Sequence, residues 1–227
     1  MASIPTLMHR HRPAFFRFFS ATGAARRKTS VARATFCYVG ADMKLGRLFL
    51  RLIVGGYFFG HGTQKLFGWF NGHGLDATAG MFESIGLRPG KRHATAAGIA
   101  ESAGGAALAL GAATPLASSV LIATMITAIN RVHIKNGPWV ADQGYEYNLV
   151  LIAVVAALAE TGPGSPSIDD ARESNMYGSK WALIALALGA AGSLGADQVS
   201  ARFPAAEPDP VQPAEDQPAD APAPEHT

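Results

Sequence analysis

Glu101 is the one charged residue in an apolar stretch that runs from Ala94 to Ala112. A charged group at mid-membrane depth costs about 2.5 to 3.5 kcal/mol on insertion scales, so it is expected to face protein rather than lipid. Gly98 and Gly105 lie three and four residues away on the same helical face, which places the carboxyl at a close helix contact. There it either bonds another side chain for structural reasons or handles a ligand or a proton, and a cation such as Lys65 or protonated His61 would decide which environment it has. A second set, Tyr57, His61 and Gln64 or Lys65, recurs at three- and four-residue spacing. If the helix continues that far, these form one polar stripe. Histidine exchanges protons near neutral pH and lysine can hold an anion, so the stripe suits a quinone headgroup or a small acid; anchoring of a helix end at the membrane interface is the plainer alternative. His133, one turn after Asn130, and Glu146, between Tyr145 and Tyr147, complete the candidates for ligand or proton handling. No catalytic residue is singled out. Imidazole and carboxylate suit several divalent ions, but no two of His61, Glu101, His133 and Glu146 have a compact ligand spacing, so no metal site is expected.

The elements that position these residues follow from hydropathy. A helical span needs about 20 mostly apolar residues, and five windows approach that. They run from about Leu45 to Leu66, Ala94 to Ala112, Pro115 to Ile129, Tyr145 to Ala159 and Trp181 to Ala196. In the first, Arg47 and Arg51 sit near one end, where long basic side chains are expected to reach toward headgroups. Only a Thr114-Pro115 turn separates the second and third, which makes them an antiparallel hairpin. Gly98, Gly104, Gly105, Gly111, Gly189, Gly192 and Gly195 crowd the second and fifth windows and their ends. In a soluble helix each would cost roughly 1 kcal/mol against Ala, whereas in lipid they let backbones approach closely. A soluble helical core is the alternative, and five such windows in one short chain argue against it.

The connections are more polar. Asn71 to Lys91 can hold a short interfacial helix with Asp76 as its N-cap, Met81, Phe82 and Ile85 on one face and Gly86 at its end. Phe67, Trp69 and Phe70 before it suit the headgroup level. Gly72-His73-Gly74 is a turn, not a nucleotide loop, since no strand precedes it.

Of 227 residues, 48% are apolar and 16% charged, few for the surface of a soluble protein. The charges are uneven: residues 1 to 41 hold seven Lys/Arg and no acid, and the stretch from Phe203 holds six acids and no Lys/Arg. No uniformly basic surface and no base-recognition motif occur, so nucleic acid is not an expected partner. The single cysteine, Cys37, excludes an intrachain disulfide, a Cys-x-x-Cys redox pair and an iron-sulfur cluster held by this chain alone. Residues 1 to 42 read as a basic extension, either an organellar transit peptide or a stretch translated from an upstream start, with Met43 favoured as the functional start. The positive-inside rule decides orientation only if that extension is kept: twelve Lys/Arg against seven with it, five against seven without.

Several motifs in order resemble one family. Gly60-His61-Gly62-Thr63-Gln64-Lys65-Leu66-Phe67-Gly68 resembles the HGxQKLFG signature of the DoxX family of small membrane proteins. Ala97-Gly98-Ile99-Ala100-Glu101, Gly104-Gly105 and Gly111-Ala112-Ala113-Thr114-Pro115-Leu116-Ala117 resemble its second span and hairpin. Val132-His133-Ile134-Lys135-Asn136-Gly137 with Trp139, then Gly144-Tyr145-Glu146-Tyr147-Asn148-Leu149, resemble its third connection. Gly162-Pro163-Gly164 with Ser167-Ile168-Asp169 resembles its closing motif. A four-span member would end soon after that motif, whereas this chain adds a fifth apolar segment and an acidic tail.

The resulting expectation is an all-α membrane bundle of four core transmembrane helices plus a fifth, C-terminal span. Its parts are the extension (1–42), a DoxX-like four-helix domain (43–170), a linker with the fifth helix (171–200) and a disordered Pro/Ala/acidic tail (201–227). The resemblance implies a bacterial plasma (inner) membrane location and a quinone-linked oxidoreductase subunit or redox-complex partner. A noncatalytic binding or assembly protein for a lipid or small organic ligand, and a small transporter, are the alternatives. The cofactor stays unknown: quinone is one candidate, no recognisable motif encodes any, and flavin, haem and cluster motifs are absent, so redox chemistry needs a soluble or membrane oxidoreductase partner or a bound cofactor. The lipid bilayer and a second copy of the chain are the other expected partners.

Overall fold

The computed structural model describes residues 22–204, residues 22–44 by backbone alone. The chain divides into two compact units, Met1–Met43 and Lys44–Thr227. Of the first, only helical backbone is described, and the expected roles of residues 1–42 and of the tail beyond 204 lie outside the described residues. Everything below concerns the second unit.

Every regular element among the described residues is helical. In order they are α1 (Thr22–Phe67), α2 (Gly74–Ser84), α3 (Gly90–Leu110), α4 (Thr114–Ala128), α5 (Glu146–Thr161), α6 (Ile168–Ala171) and α7 (Ser179–Ala201). The expected first helix starts near Leu45, but helical backbone already begins at Thr22. Residues 22–44 contain no proline and many alanines, arginines and lysines, all good helix formers, so nothing local stops the helix there. α4 also runs past its expected end, through a wide π-helical turn, Ile129–His133, and a 3-10 turn, Ile134–Asn136.

The long helices alternate in direction, so each end of the bundle gathers its own loops. α4 packs most extensively against α7, and also against α3 and α5. Phe58, Leu108, Leu121, Ile122, Val155 and Leu158 form the buried apolar centre between them. Glycines set the closest approaches. A Cβ on Gly105 would lie 2.5 Å from the Phe59 nitrogen and 2.6 Å from the Gly55 oxygen, so α1 and α3 touch backbone to backbone. A Cβ on Gly189 of α7 would run into the Ile122 side chain of α4.

At the end where α3 turns into α4, Gly111 and Ala113 adopt left-handed backbone conformations (φ 63° and 45°). The turn is held by Asp169, whose carboxylate accepts from the backbone N–H of Ala113 (2.7 Å) and Thr114 (2.9 Å) and from the Thr114 hydroxyl (2.8 Å). The Asp169 N–H donates in return to the Gly111 carbonyl at 2.8 Å. Asp169 thus caps α4 from 55 residues away, satisfying donors that a helix start leaves open. Arg51 does not reach toward headgroups as expected. It is buried, 3% exposed, and donates to the carbonyls of Ala109 and Pro166, closing the end of α3 onto the connection before α6. Arg47 donates to the Thr161 carbonyl at the end of α5 (2.6 Å).

At the opposite end α2 is the expected short helix, but it starts at Gly74, two residues before Asp76. Asp76 therefore lies in the first turn, where a carboxylate still favours the helix dipole, and pairs with Lys91 at 3.0 Å instead of capping. Phe82 is buried, Met81 is exposed, and Gly86, at φ 82°, follows the end as expected.

Polar and apolar groups are distributed against the usual rule. Arg51, Glu101, Asn148 and Asp169 are buried, while Phe49, Ile53, Ile99, Leu116, Val150, Leu183 and Leu194 point outward from five helices. In water such an apolar exterior would cost about 25 cal/mol per Å², whereas in hydrocarbon it costs nothing. Two segments, Thr114–Asn136 and Ser179–Ala201, each 23 residues, meet the length and hydropathy required to cross a bilayer. The second is longer than the expected Trp181 to Ala196.

Candidate functional site

A cavity of about 690 Å³ lies toward the α2 end, walled by α1, α2, α3, α4, α5 and α7. Most of its surface comes from Val54, Phe58, Phe82, Ala97, Met125, Leu151 and similar apolar side chains. The lining residues Ile53, Tyr57, Tyr147 and Val150 are strongly exposed as well, so the cavity reaches the outer face of the bundle along α1 and α5.

Because α1 does continue to Phe67, Tyr57, His61 and Lys65 line one wall at four-residue intervals. Glu101 faces them from α3. Its carboxylate is hydrogen-bonded and ion-paired to the Lys65 ammonium, with the carboxylate side chain 5% exposed and the lysine 23%. The glycines around Glu101 make this possible. Gly98 sits under the Leu66 side chain, Gly105 against the Phe59 backbone, and Gly62 of α1 against Ser102, so the two helices approach closely enough for the pair to form. An ion pair at this depth holds one hydrogen-bond donor and one acceptor beside an apolar space. Removing one partner from such a pair is costly where the remaining charge is kept from water, and Lys65, 23% exposed, is not fully so.

His133 also lines the cavity, and its Nδ1 lies 2.7 Å from the Gln143 carbonyl. It belongs to the π-helical turn, where the wider winding alters its α-helical spacing from Asn130. Gln64 and Glu146 fall outside the lining. The Gln64 amide oxygen lies 3.1 Å from His61 Nδ1 and its nitrogen donates to the Phe70 carbonyl, so it steadies both His61 and the loop after α1. Glu146 accepts from the Val140 N–H at 3.0 Å and closes the loop before α5. Among the described residues no three His, Cys, Asp or Glu side chains come together as a metal-ion group.

Two lining residues were missed. His93 of α3 has Nε2 3.1 Å from both the Arg88 carbonyl and the Ser200 hydroxyl, and so ties the start of α3 to the end of α7. Asn148 of α5 is 7% exposed and faces the cavity wall. An amide followed by the apolar run Leu149 to Ala159 was a signal available in the sequence. α7 closes the cavity with Gly192 and Ala196. It is held to α4 by Ser193, 3.0 Å from Thr127, and by Asp197, which accepts from Arg131 Nε at 3.0 Å.

An apolar exterior, buried charges and a glycine-mediated helix contact define a helical membrane protein. Residues 46–134 match the DoxX family model, a stretch that holds the Gly60 to Gly68 signature, Glu101 and His133. Over that segment the chain is similar to the DoxX family, which bears out the resemblance of the motifs between Gly60 and His133. No curated protein and no solved structure matches the chain.

Proposed function

We propose that the chain is a membrane-embedded quinone-binding subunit or partner of an oxidoreductase complex. The observation that carries this reading is the Lys65–Glu101 pair, set with His61 into the wall of an otherwise apolar cavity of about 690 Å³. Cavities of roughly 300 to 1,000 Å³ with apolar walls and few polar groups suit small organic ligands. A quinone fits these residues: its apolar ring and tail match the lining, and its oxygens match the ammonium donor and the carboxylate acceptor. Bound there, it would supply two-electron redox chemistry. The chain's own residues bind and orient the headgroup, keep water from the apolar walls, and offer His61 as a proton-exchanging group beside it.

In this reading the four core helices α1, α3, α4 and α5 cross a bacterial inner membrane, with α7 as the fifth. Electrons come from a partner oxidoreductase, since the sequence carries no motif for a flavin, haem or cluster. The exposed apolar faces of the helices are open to lipid, to that partner or to a second copy of the chain.

Glu101→Gln tests the proposal, because it keeps the size and much of the hydrogen bonding while removing the charge. Lys65 is partly exposed, so the variant should lose no more than about 1 kcal/mol of stability. Decylubiquinone affinity, measured by titration calorimetry on the purified chain, should fall about tenfold. Unchanged affinity would remove Glu101 from the binding role, and a parallel collapse of melting temperature and binding would leave it a structural partner only.

A second reading, a noncatalytic binding or assembly protein for a lipid, draws on the apolar route to the outer face along α1 and α5. Mass spectrometry after gentle detergent purification separates the two: copurifying quinone supports the first, copurifying lipid alone the second.

A further inference from the structure

The Asn148 carboxamide is buried, lines the cavity, and has a single hydrogen-bond partner, the Met125 thioether at 3.4 Å. A thioether is a weak acceptor, and the carboxamide oxygen is not among the fully buried polar atoms left without a partner, so it keeps some accessible surface. The amide therefore keeps hydrogen-bonding capacity for a group in the cavity that it lines.

Asn148 also lies level with the ion pair. α3 and α4 reverse at Gly111–Ala113, which brings residues 123–125 of α4 opposite Glu101. The Ser118 hydroxyl donates to the Val155 carbonyl, and seven residues on in α4 and seven back in α5 Asn148 meets Met125, so α4 and α5 keep one antiparallel register. Asn148 and Glu101 therefore stand within about one helical turn of the same height, on different walls of the cavity.

We propose that Asn148 is the second polar contact of the ligand headgroup, so that the ligand is a flat ring with an oxygen at each of two opposite edges. This deepens the quinone reading and rests on it. Each anchor contains one donor and one acceptor: Lys65 with Glu101 on one side, the amide nitrogen and oxygen of Asn148 on the other. A ring carbonyl takes the donors and a ring hydroxyl takes the acceptors. The site thus accommodates the oxidised quinone and the reduced quinol without rearranging, which a headgroup polar at one end would not require.

The test measures binding of decylubiquinone, of its quinol, and of a phenol bearing the same chain but one ring oxygen, to the purified full chain. Asn148→Leu, close in volume, should weaken both decylubiquinone forms about tenfold and leave the phenol within about twofold. Asn148→Asp, measured at a pH high enough to ionise the added carboxyl, keeps an acceptor and loses the donors, so it should weaken the quinone more than the quinol. A purely structural role would not move that ratio. Full affinity of Asn148→Leu for both forms, or equal losses for the phenol, would overturn the assignment while leaving the quinone reading standing. Should Asn148→Leu fail to fold, an unchanged quinone-to-quinol ratio in Asn148→Asp overturns it. A wild-type chain that binds neither form overturns the quinone reading and this assignment with it.

Discussion

The two ends of the bundle use buried charge in opposite ways. At the α3–α4 turn, Asp169 and Arg51 spend their hydrogen-bonding capacity largely on backbone: the aspartate takes two N–H groups and a hydroxyl, and the arginine donates to two carbonyls. At the other end Lys65 and Glu101 meet each other beside an open cavity, and Asn148 has only a thioether. Charges that complete the backbone hold a fold shut. Charges paired only with each other remain able to exchange that partner for a ligand.

The contrast breaks most readily at Asp169. Asp169→Ala leaves a buried and a part-buried N–H group without an acceptor and removes a charged cap, so it should cost about 3 kcal/mol. The expected result is a clear fall in melting temperature with ligand affinity unchanged in the folded fraction. A loss of affinity with no change in melting temperature would reverse the roles assigned to the two ends.

Gly105→Ala, in the second half of α3, should come next. The added methyl meets backbone of α1, an overpacking worth about 1 to 3 kcal/mol, while alanine gains about 1 kcal/mol of helix propensity over glycine. A net loss of about 1 kcal/mol is expected, measured by thermal unfolding in detergent, and a stabilised variant would show that α1 and α3 can separate freely.

The smallest effect belongs to the cavity end's surface. Asp76 and Lys91 are 89% and 69% exposed, so Asp76→Asn should change stability by less than about 0.5 kcal/mol. A larger change in the same unfolding measurement would mean that the loop end is held by its exterior charges as firmly as the other end is by Asp169.

What could be read from the sequence followed from local pattern. The apolar windows located the long helices, Gly98 and Gly105 placed Glu101 at a helix contact, and four-residue spacing put His61 and Lys65 on one stripe. Lys65 could even be suggested as the partner of Glu101, 36 residues away. What local pattern does not carry is the far partner of a polar group. Arg51 looked like a helix-end anchor because the carbonyls it bonds lie 58 and 115 residues on. Asp169 was visible only as part of a closing motif, since its cap is reached from another helix. Asp76 was misread for a smaller reason: the left-handed Gly74 starts α2 two residues early. The spacing of His133 from Asn130 went astray because a π-helical turn changes the residue count per turn without a sequence mark such as proline.

α7 comes last in the order of synthesis, yet it supplies Gly192 and Ala196 to the cavity wall and is fastened to α4 by Ser193 and Asp197. During translation the preceding helices therefore form a cleft with one side missing. The wall of the cavity is completed only when the ribosome has delivered α7.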